Sequence, residues 1–192
     1  MMQQYAQAME SGELGVWDLR FDLESVHHSP SWKQRLGFPD PQHADSTHFW
    51  RCRVHPQDLE LMLGAMREHV RGVQPHYEAR FRLRSNGSGY RLMHSRGRVI
   101  ERTPEGRALR MVGTMVDLTE RLPSPQGGLP LGPRGSMKGA ALKRPFHELL
   151  APGADAGEDT SFHHERARVI GLVEDLLDAS LAQLASRGAT AV

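Results

Sequence analysis

Apolar and polar side chains alternate through Gly15-Val16-Trp17-Asp18-Leu19-Arg20-Phe21, the period of a strand. Residues 24–29 are expected to be its hairpin partner, with Asp22 and Leu23 near the turn. From Pro30 the pattern turns helical. Ser29 or Ser31 is the expected cap of a short helix over 32–36 that Gly37 ends, and Pro39 and Pro41 mark a loop. Over 57–71, Leu59, Met62, Leu63, Met66 and Val70 recur at helical spacing, with Pro56 at the entrance and Gly72 just past the end. The clearest strand follows. Tyr77, Ala79, Phe81 and Leu83 point one way, and Glu78, Arg80, Arg82 and Arg84 the other. Turn clusters at 85–89 and 103–106 separate it from strands over 90–101 and 109–118, the last apolar on both faces as a central strand should be. Strands at both ends with helices between them predict an α+β domain, with an antiparallel sheet of about five strands and helices on one face.

Composition changes abruptly after Leu122. Eight prolines and glycines fall between Pro123 and Gly135, as in a flexible or extended linker. A segment over 137–150 is expected to be helical with a break at Pro145. A last helix over 163–186, opened by Thr160 or Ser161, carries Val169, Val173, Leu176, Leu177, Ser180, Leu181 and Leu184 as one stripe. That stripe must be buried against this chain or a second copy. The expected organisation is a lead-in over 1–11, a domain over 12–122, a linker over 123–136 and a helical tail over 137–192.

Charge narrows the function classes. The 24 Lys and Arg nearly cancel the 23 Asp and Glu, so a formal charge of +1 gives no argument for a nucleic-acid partner or an anionic membrane. Cys52 is the single cysteine, which excludes an intrachain disulfide and an all-cysteine zinc site. No apolar run approaches the roughly 20 residues of a membrane span, and the N-terminus lacks the form of a secretory signal. A cytoplasmic setting is the expectation.

Local motifs carry a family resemblance. His55-Pro56-Gln57-Asp58 is similar to the entry into the long helix of PAS domains, and 75–83 resembles the strand that follows it. Asn86-Gly87 resembles its hairpin. Gly113-Thr114-Met115-Val116-Asp117-Leu118-Thr119-Glu120-Arg121 resembles the closing strand with its PAC-type exit. Trp17-Asp18 and Ser29-Pro30-Ser31-Trp32 also fit. The resemblance implies a PAS sensory fold over about 110 residues, with a signalling exit at Asp117, Thr119 and Arg121.

PAS domains bind haem, flavin, small metabolites or nothing. Flavin photochemistry is disfavoured, because only Cys52-Arg53 survives of the light-sensing motif. Haem is disfavoured too, since His69 is a lone histidine at the edge of an apolar stripe. His27 and His28, adjacent on a strand, point to opposite faces and make a poor chelate, so no metal site is expected. No cofactor is evident. A small-molecule pocket between sheet and helices is the remaining option, with Met66, His69, Ser95, Gly97, Gly113 and Met115 as its candidate residues. Small residues on the central strands leave room for a ligand, or else let helices pack closely. His55 and Asp58 are expected to cap the long helix and pair with neighbours.

In the tail, Phe146-His147-Glu148-Leu149-Leu150-Ala151-Pro152 resembles the phospho-acceptor box of sensor histidine kinases, and 168–180 resembles the second helix of their dimerisation hairpin. The resemblance implies His147 as phospho-acceptor and Glu148 as its base. The box is followed by Gly-Ala-Asp-Ala-Gly instead of a long apolar helix, and no ATP-binding domain is recognisable, so at most a phospho-acceptor fragment is present. The reading is a PAS sensory and dimerisation module of two-component signalling, related to or part of a sensor histidine kinase, with a homodimer or a signalling protein as partner. The alternative is a ligand-free interaction module whose last helix docks on a partner.

Overall fold

The computed structural model describes residues 2–38, 40–87, 89–119, 144–151 and 160–189. In chain order the elements are α1 (Met2–Glu10), β1 (Leu14–Arg20), β2 (Ser25–His28), α2 (Pro30–Arg35), β3 (Asp45–Ser46), α3 (Thr47–Arg51), α4 (Pro56–Val70), β4 (Tyr77–Arg84), β5 (Tyr90–Arg102), β6 (Ala108–Asp117), α5 (Phe146–Leu149) and α6 (Thr160–Ala189). The strands form one antiparallel sheet in the order β3-β2-β1-β6-β5-β4. The α+β class holds. The linker over 123–136, Arg121 and the expected helical stretch before Arg144 lie outside the described residues.

Because side chains alternate along a strand, the two faces can be read from the sequence period. On one face Trp17, Leu19, Val26, Tyr77, Phe81, Leu83, Met93, Met111 and Met115 pack with Trp32, Phe38, Trp50 and Met62 from α2, the segment after it, α3 and α4. On the other, Leu14, Val16, Ile100, Val112 and Val116 pack with Tyr5 and Met9 of α1, Phe146 and Leu149 of α5, and Val169, Val173, Leu176 and Leu177 of α6. Helices α2, α3 and α4 thus lie on one face, and α1, α5 and α6 add a second helical layer on the other. This layer is why β6 is apolar on both sides: it is buried along nearly its whole length between β1 and β5. The tail stripe finds its cover within the chain.

Local details add to the sequence reading. Ser29 occupies the N-cap position of α2 without capping it; its hydroxyl instead accepts from the Val16 N–H at 3.2 Å, pinning β1. In the 85–89 turn Gly87 takes a positive φ of 98° and Gly89 one of 77°, while Asn86 does not. Asn86 serves differently: its side-chain amide donates to the Gly37 carbonyl at 2.7 Å and its N–H to the Leu36 carbonyl at 2.9 Å, tying the turn to the end of α2. Residues 45–51, which lack a readable period, form β3 and α3. Asp45 there accepts from the Trp50 indole at 3.0 Å and pairs with the buried Lys33 of α2 at 2.9 Å.

Candidate functional site

An apolar cavity lies between the sheet and α3–α4, with a volume of about 270 Å³. Its sheet wall is Trp17, Leu19, Val26, His28, Tyr77, Phe81, Leu83, Ser95 and Met115. Its helical wall is Trp50, Met62, Leu63 and Met66, and Glu24 and Arg51, both exposed, stand at its rim. The lining is overwhelmingly apolar, the usual character of a small-molecule site.

Inside it the polar groups are few and mostly satisfied. The Trp17 indole N–H donates to Ser95 Oγ and to the Thr114 carbonyl, each at 3.1 Å. The Ser95 hydroxyl donates to the same carbonyl at 3.2 Å. Burial pushes the Tyr77 phenol up, beyond the physiological range. His28 is the exception. It is 5% exposed, its ring stacks on Trp32 with centroids 5.1 Å apart and lies 4.3 Å from that of Trp50, and its Nδ1 has no hydrogen-bond partner among the described residues. Burial, assisted by the Lys33 charge, lowers its pKa to about 3, so the imidazole is neutral near neutral pH.

The candidate pocket residues divide. Met66, Ser95 and Met115 line the cavity. Gly97 and Gly113 do not: a Cβ on either would collide with the Trp17 ring, so their smallness accommodates the indole and not a ligand. His69 sits elsewhere and is fully used. Its Nδ1 pairs with the Gln74 carbonyl at 2.9 Å and its Nε2 accepts from the Val99 N–H at 2.9 Å. Both nitrogens are thereby committed to joining the end of α4 to β5, which leaves none for a haem iron. Cys52 is exposed and pairs loosely with His48, away from the cavity lining. Among the described residues no group of three or more His, Cys, Asp or Glu is arranged to hold a metal ion. At the entrance of α4, His55 Nδ1 accepts from the Gln57 N–H at 3.2 Å, and Asp58 takes the Arg82 guanidinium at 2.7 and 2.8 Å and the Arg82 N–H at 2.8 Å. Arg82 holds the Asp58 carboxyl down at about 2.

The opposite face carries the tail, whose last turn reaches the segment that follows β6. Asp117 pairs with Arg91 at 2.6 Å and accepts from the Thr119 N–H at 2.9 Å, while Thr119 Oγ1 accepts from the Leu92 N–H. Arg187 of α6 donates to the Thr119 carbonyl at 3.0 Å. At the other end of β6, the fully buried Arg110 bonds Asp18 (Nη2–Oδ2 2.6 Å), Glu165 (2.9 Å), Glu101 (3.3 Å) and the Arg144 carbonyl (2.9 Å); Asp18 also accepts from the Phe146 N–H at 3.0 Å. Between these ends, Thr114 and Ser180 share a 2.7 Å hydroxyl pair, His94 bonds Gln183 at 3.0 Å, and Arg98 grips Asp175 with both Nη atoms. Tyr5 of α1 donates to Asp178. Sequence reasoning missed this network, because Asp18 and Arg110 stand 92 residues apart and no local pattern shows that they meet.

His147 and Glu148 stand on the four-residue helix α5, whose Phe146 and Leu149, with Leu150 just beyond, are fully buried. His147 is half-buried, and burial, then the nearby His27, lowers its pKa to about 4. Glu148 is exposed. Neighbours on a helix point about 100° apart, so the two side chains diverge.

Residues 25–115 match the family model described as the PAS fold. The chain is similar to a sensory box histidine kinase/response regulator from Burkholderia thailandensis, with 24% identity, 60% of this chain and 85% of that one covered, and a TM-score of 0.51. It is similar also to the N-terminal domain of a diguanylate cyclase with a PAS/PAC sensor from Marinobacter aquaeolei, with 22% identity, 55% and 95% covered, and a TM-score of 0.47. No curated protein matches the chain.

Proposed function

From the premise that residues 25–115 are a PAS fold domain, we propose that the chain is a ligand-responsive signalling module, related to or part of a bacterial sensor histidine kinase. The observation that carries the reading is the placement of the apolar cavity and the tail on opposite faces of the same strands. On β5, Ser95 lines the cavity while His94 bonds Gln183 of α6. On β6, Met115 lines the cavity while Thr114 bonds Ser180 of α6. A ligand that favours one curvature or register of β5 and β6 therefore also favours one seating of α6, which is a population shift with a structural basis. No helix among the described residues is long and apolar enough to cross a membrane, so any link to a membrane signal runs through a partner or another segment.

The kinase relationship rests on the similarity to a sensory box histidine kinase/response regulator and on the tail motif. His147 as phospho-acceptor is the part of it that chemistry can test directly. A lowered pKa keeps its imidazole in the neutral, nucleophilic form near pH 7. Phosphotransfer from a separately supplied kinase domain, lost in His147→Ala, is the expected result, and equal labelling of both proteins refutes it. For the sensing reading, native mass spectrometry of the chain purified from its host is the test. A bound small molecule of fixed mass, absent from Met66→Trp, is expected. A ligand-free chain that also fails to respond to any of a panel of small apolar metabolites refutes it.

A further inference from the structure

Among the described residues, His28 on the cavity wall carries an unmet polar atom, and that residue limits what can fill the cavity. Ser95 and the Trp17 indole already bond each other and the Thr114 carbonyl. His28 lines the cavity, is 95% buried, and keeps an unpartnered ring nitrogen. A buried polar atom without a partner is costly, and a bound molecule that supplied one would gain from it. Resting on the reading of this cavity as a ligand site, we propose that it takes a small, uncharged, largely apolar molecule of roughly ten non-hydrogen atoms, whose one hydroxyl pairs with the His28 imidazole.

Size follows from volume. An engineered apolar cavity of about 150 Å³ holds benzene, so about 270 Å³ suits a substituted single ring or a short branched chain and is small for a flavin or a haem. Neutrality follows from the walls. Among the described residues, the two charged ones of the lining, Glu24 and Arg51, are exposed at the rim, and none lines the interior as a counter-charge for an ion stripped of water. His28 does not provide one, since burial keeps it unprotonated. The hydroxyl follows from the imidazole. A neutral ring offers a donor at one nitrogen and an acceptor at the other, and a hydroxyl is the smallest group able to answer either.

The protein carries its own reporter. Trp17 and Trp50 line the cavity and Trp32 stacks on His28, so all three tryptophans lie on or beside it. Tryptophan fluorescence, excited at the red edge where phenols do not absorb, is followed while 4-propylphenol, propylbenzene or 4-ethylbenzoate is added to the full chain. The expected order is the phenol about fivefold tighter than the hydrocarbon, the value of one neutral hydrogen bond, and the carboxylate weakest. In His28→Phe the phenol loses its advantage while propylbenzene binds as before. If that variant does not fold, the ¹⁵N resonances of the His28 ring in the native chain decide: they shift with the phenol and not with the hydrocarbon. Equal binding of phenol and hydrocarbon, with unmoved His28 resonances, overturns the proposal and means that water satisfies the ring; so does tighter binding of the carboxylate. In both cases the cavity reading stands. If none of the three probes binds, or if Met66→Trp leaves their binding unchanged, the cavity reading itself falls.

Discussion

Removing Asp18 is the sharpest probe of how the tail is held. Asp18 accepts three donors in the buried interior: Arg110 Nε at 3.1 Å, Arg110 Nη2 at 2.6 Å and the Phe146 N–H at 3.0 Å. In Asp18→Ala a guanidinium with no solvent exposure loses its main counter-ion, and the first turn of α5 loses its acceptor. Breaking a buried pair from one side typically costs about 3–5 kcal/mol. Glu165 and Glu101 remain to face Arg110, which places the expected cost near the lower end, about 3 kcal/mol. For a chain of this size that lowers Tm by roughly 6–12 °C. Asp18→Leu combined with Arg110→Met removes both charges, so it should cost clearly less than the sum of the single changes. Urea unfolding of the four proteins gives the cycle. Proteolysis should show the tail cut first in Asp18→Ala. A single-mutant cost below about 1 kcal/mol, or additive singles, would refute the view that this buried network anchors the tail.

The same structure sets further outcomes. Gly97→Ala meets the Trp17 ring first, so its cost of about 1–3 kcal/mol should shrink when Trp17 is also changed to Val. Gly113→Ala meets the Arg96 carbonyl as well, and no change at Trp17 should restore its folding, as judged by circular dichroism. His28 has a folded pKa of about 3, against about 6.5 unfolded. The unfolded chain therefore binds more protons between those values, and stability should fall as pH drops from about 6.5 toward 3, at up to about 1.4 kcal/mol per pH unit for this site; urea melts across that range should be flatter in His28→Phe. Leu177→Asp puts a charge into the core under α6 and should raise hydrogen exchange along that helix while leaving α4 protected. Arg98→Ala, which breaks a half-exposed pair with the exposed Asp175, should cost less than about 1 kcal/mol.

What was legible in the sequence was whatever a period could carry. The alternation from Tyr77 to Arg84 assigned β4 to the right faces, and Val169, Val173, Leu176, Leu177 and Ser180 marked the side of α6 that is buried. What was not legible depended on which side chain fills which gap. Gly97 and Gly113 read equally well as ligand space or as close packing, and the Trp17 indole, from another strand, takes that space. His28 had a usable signal, since it alternates with Val26 on the inward face of β2; the pairing with His27 in sequence points instead to a chelate, which a strand does not form. His69 stood on the correct stripe, but its commitments to Gln74 and Val99 cross to other elements. Residues 45–51 had too few positions to show a period at all.

Arg110 and Thr119 mark the two ends of a span of about 30 Å along an extended strand. Their partners on α6, Glu165 and Arg187, are 22 residues apart, about 33 Å of helix. The lengths match, so α6 lies along β6 like a splint fastened at both ends. Under such a splint the sheet cannot curl without either bowing the helix or undoing a fastening, and the two fastenings are unequal. One is a buried cluster of charges. The other, among the described residues, is the bond from Arg187 to the Thr119 carbonyl. Any flexing of the sheet is thus directed to one place, and the C-terminal end of α6 is where it lifts first.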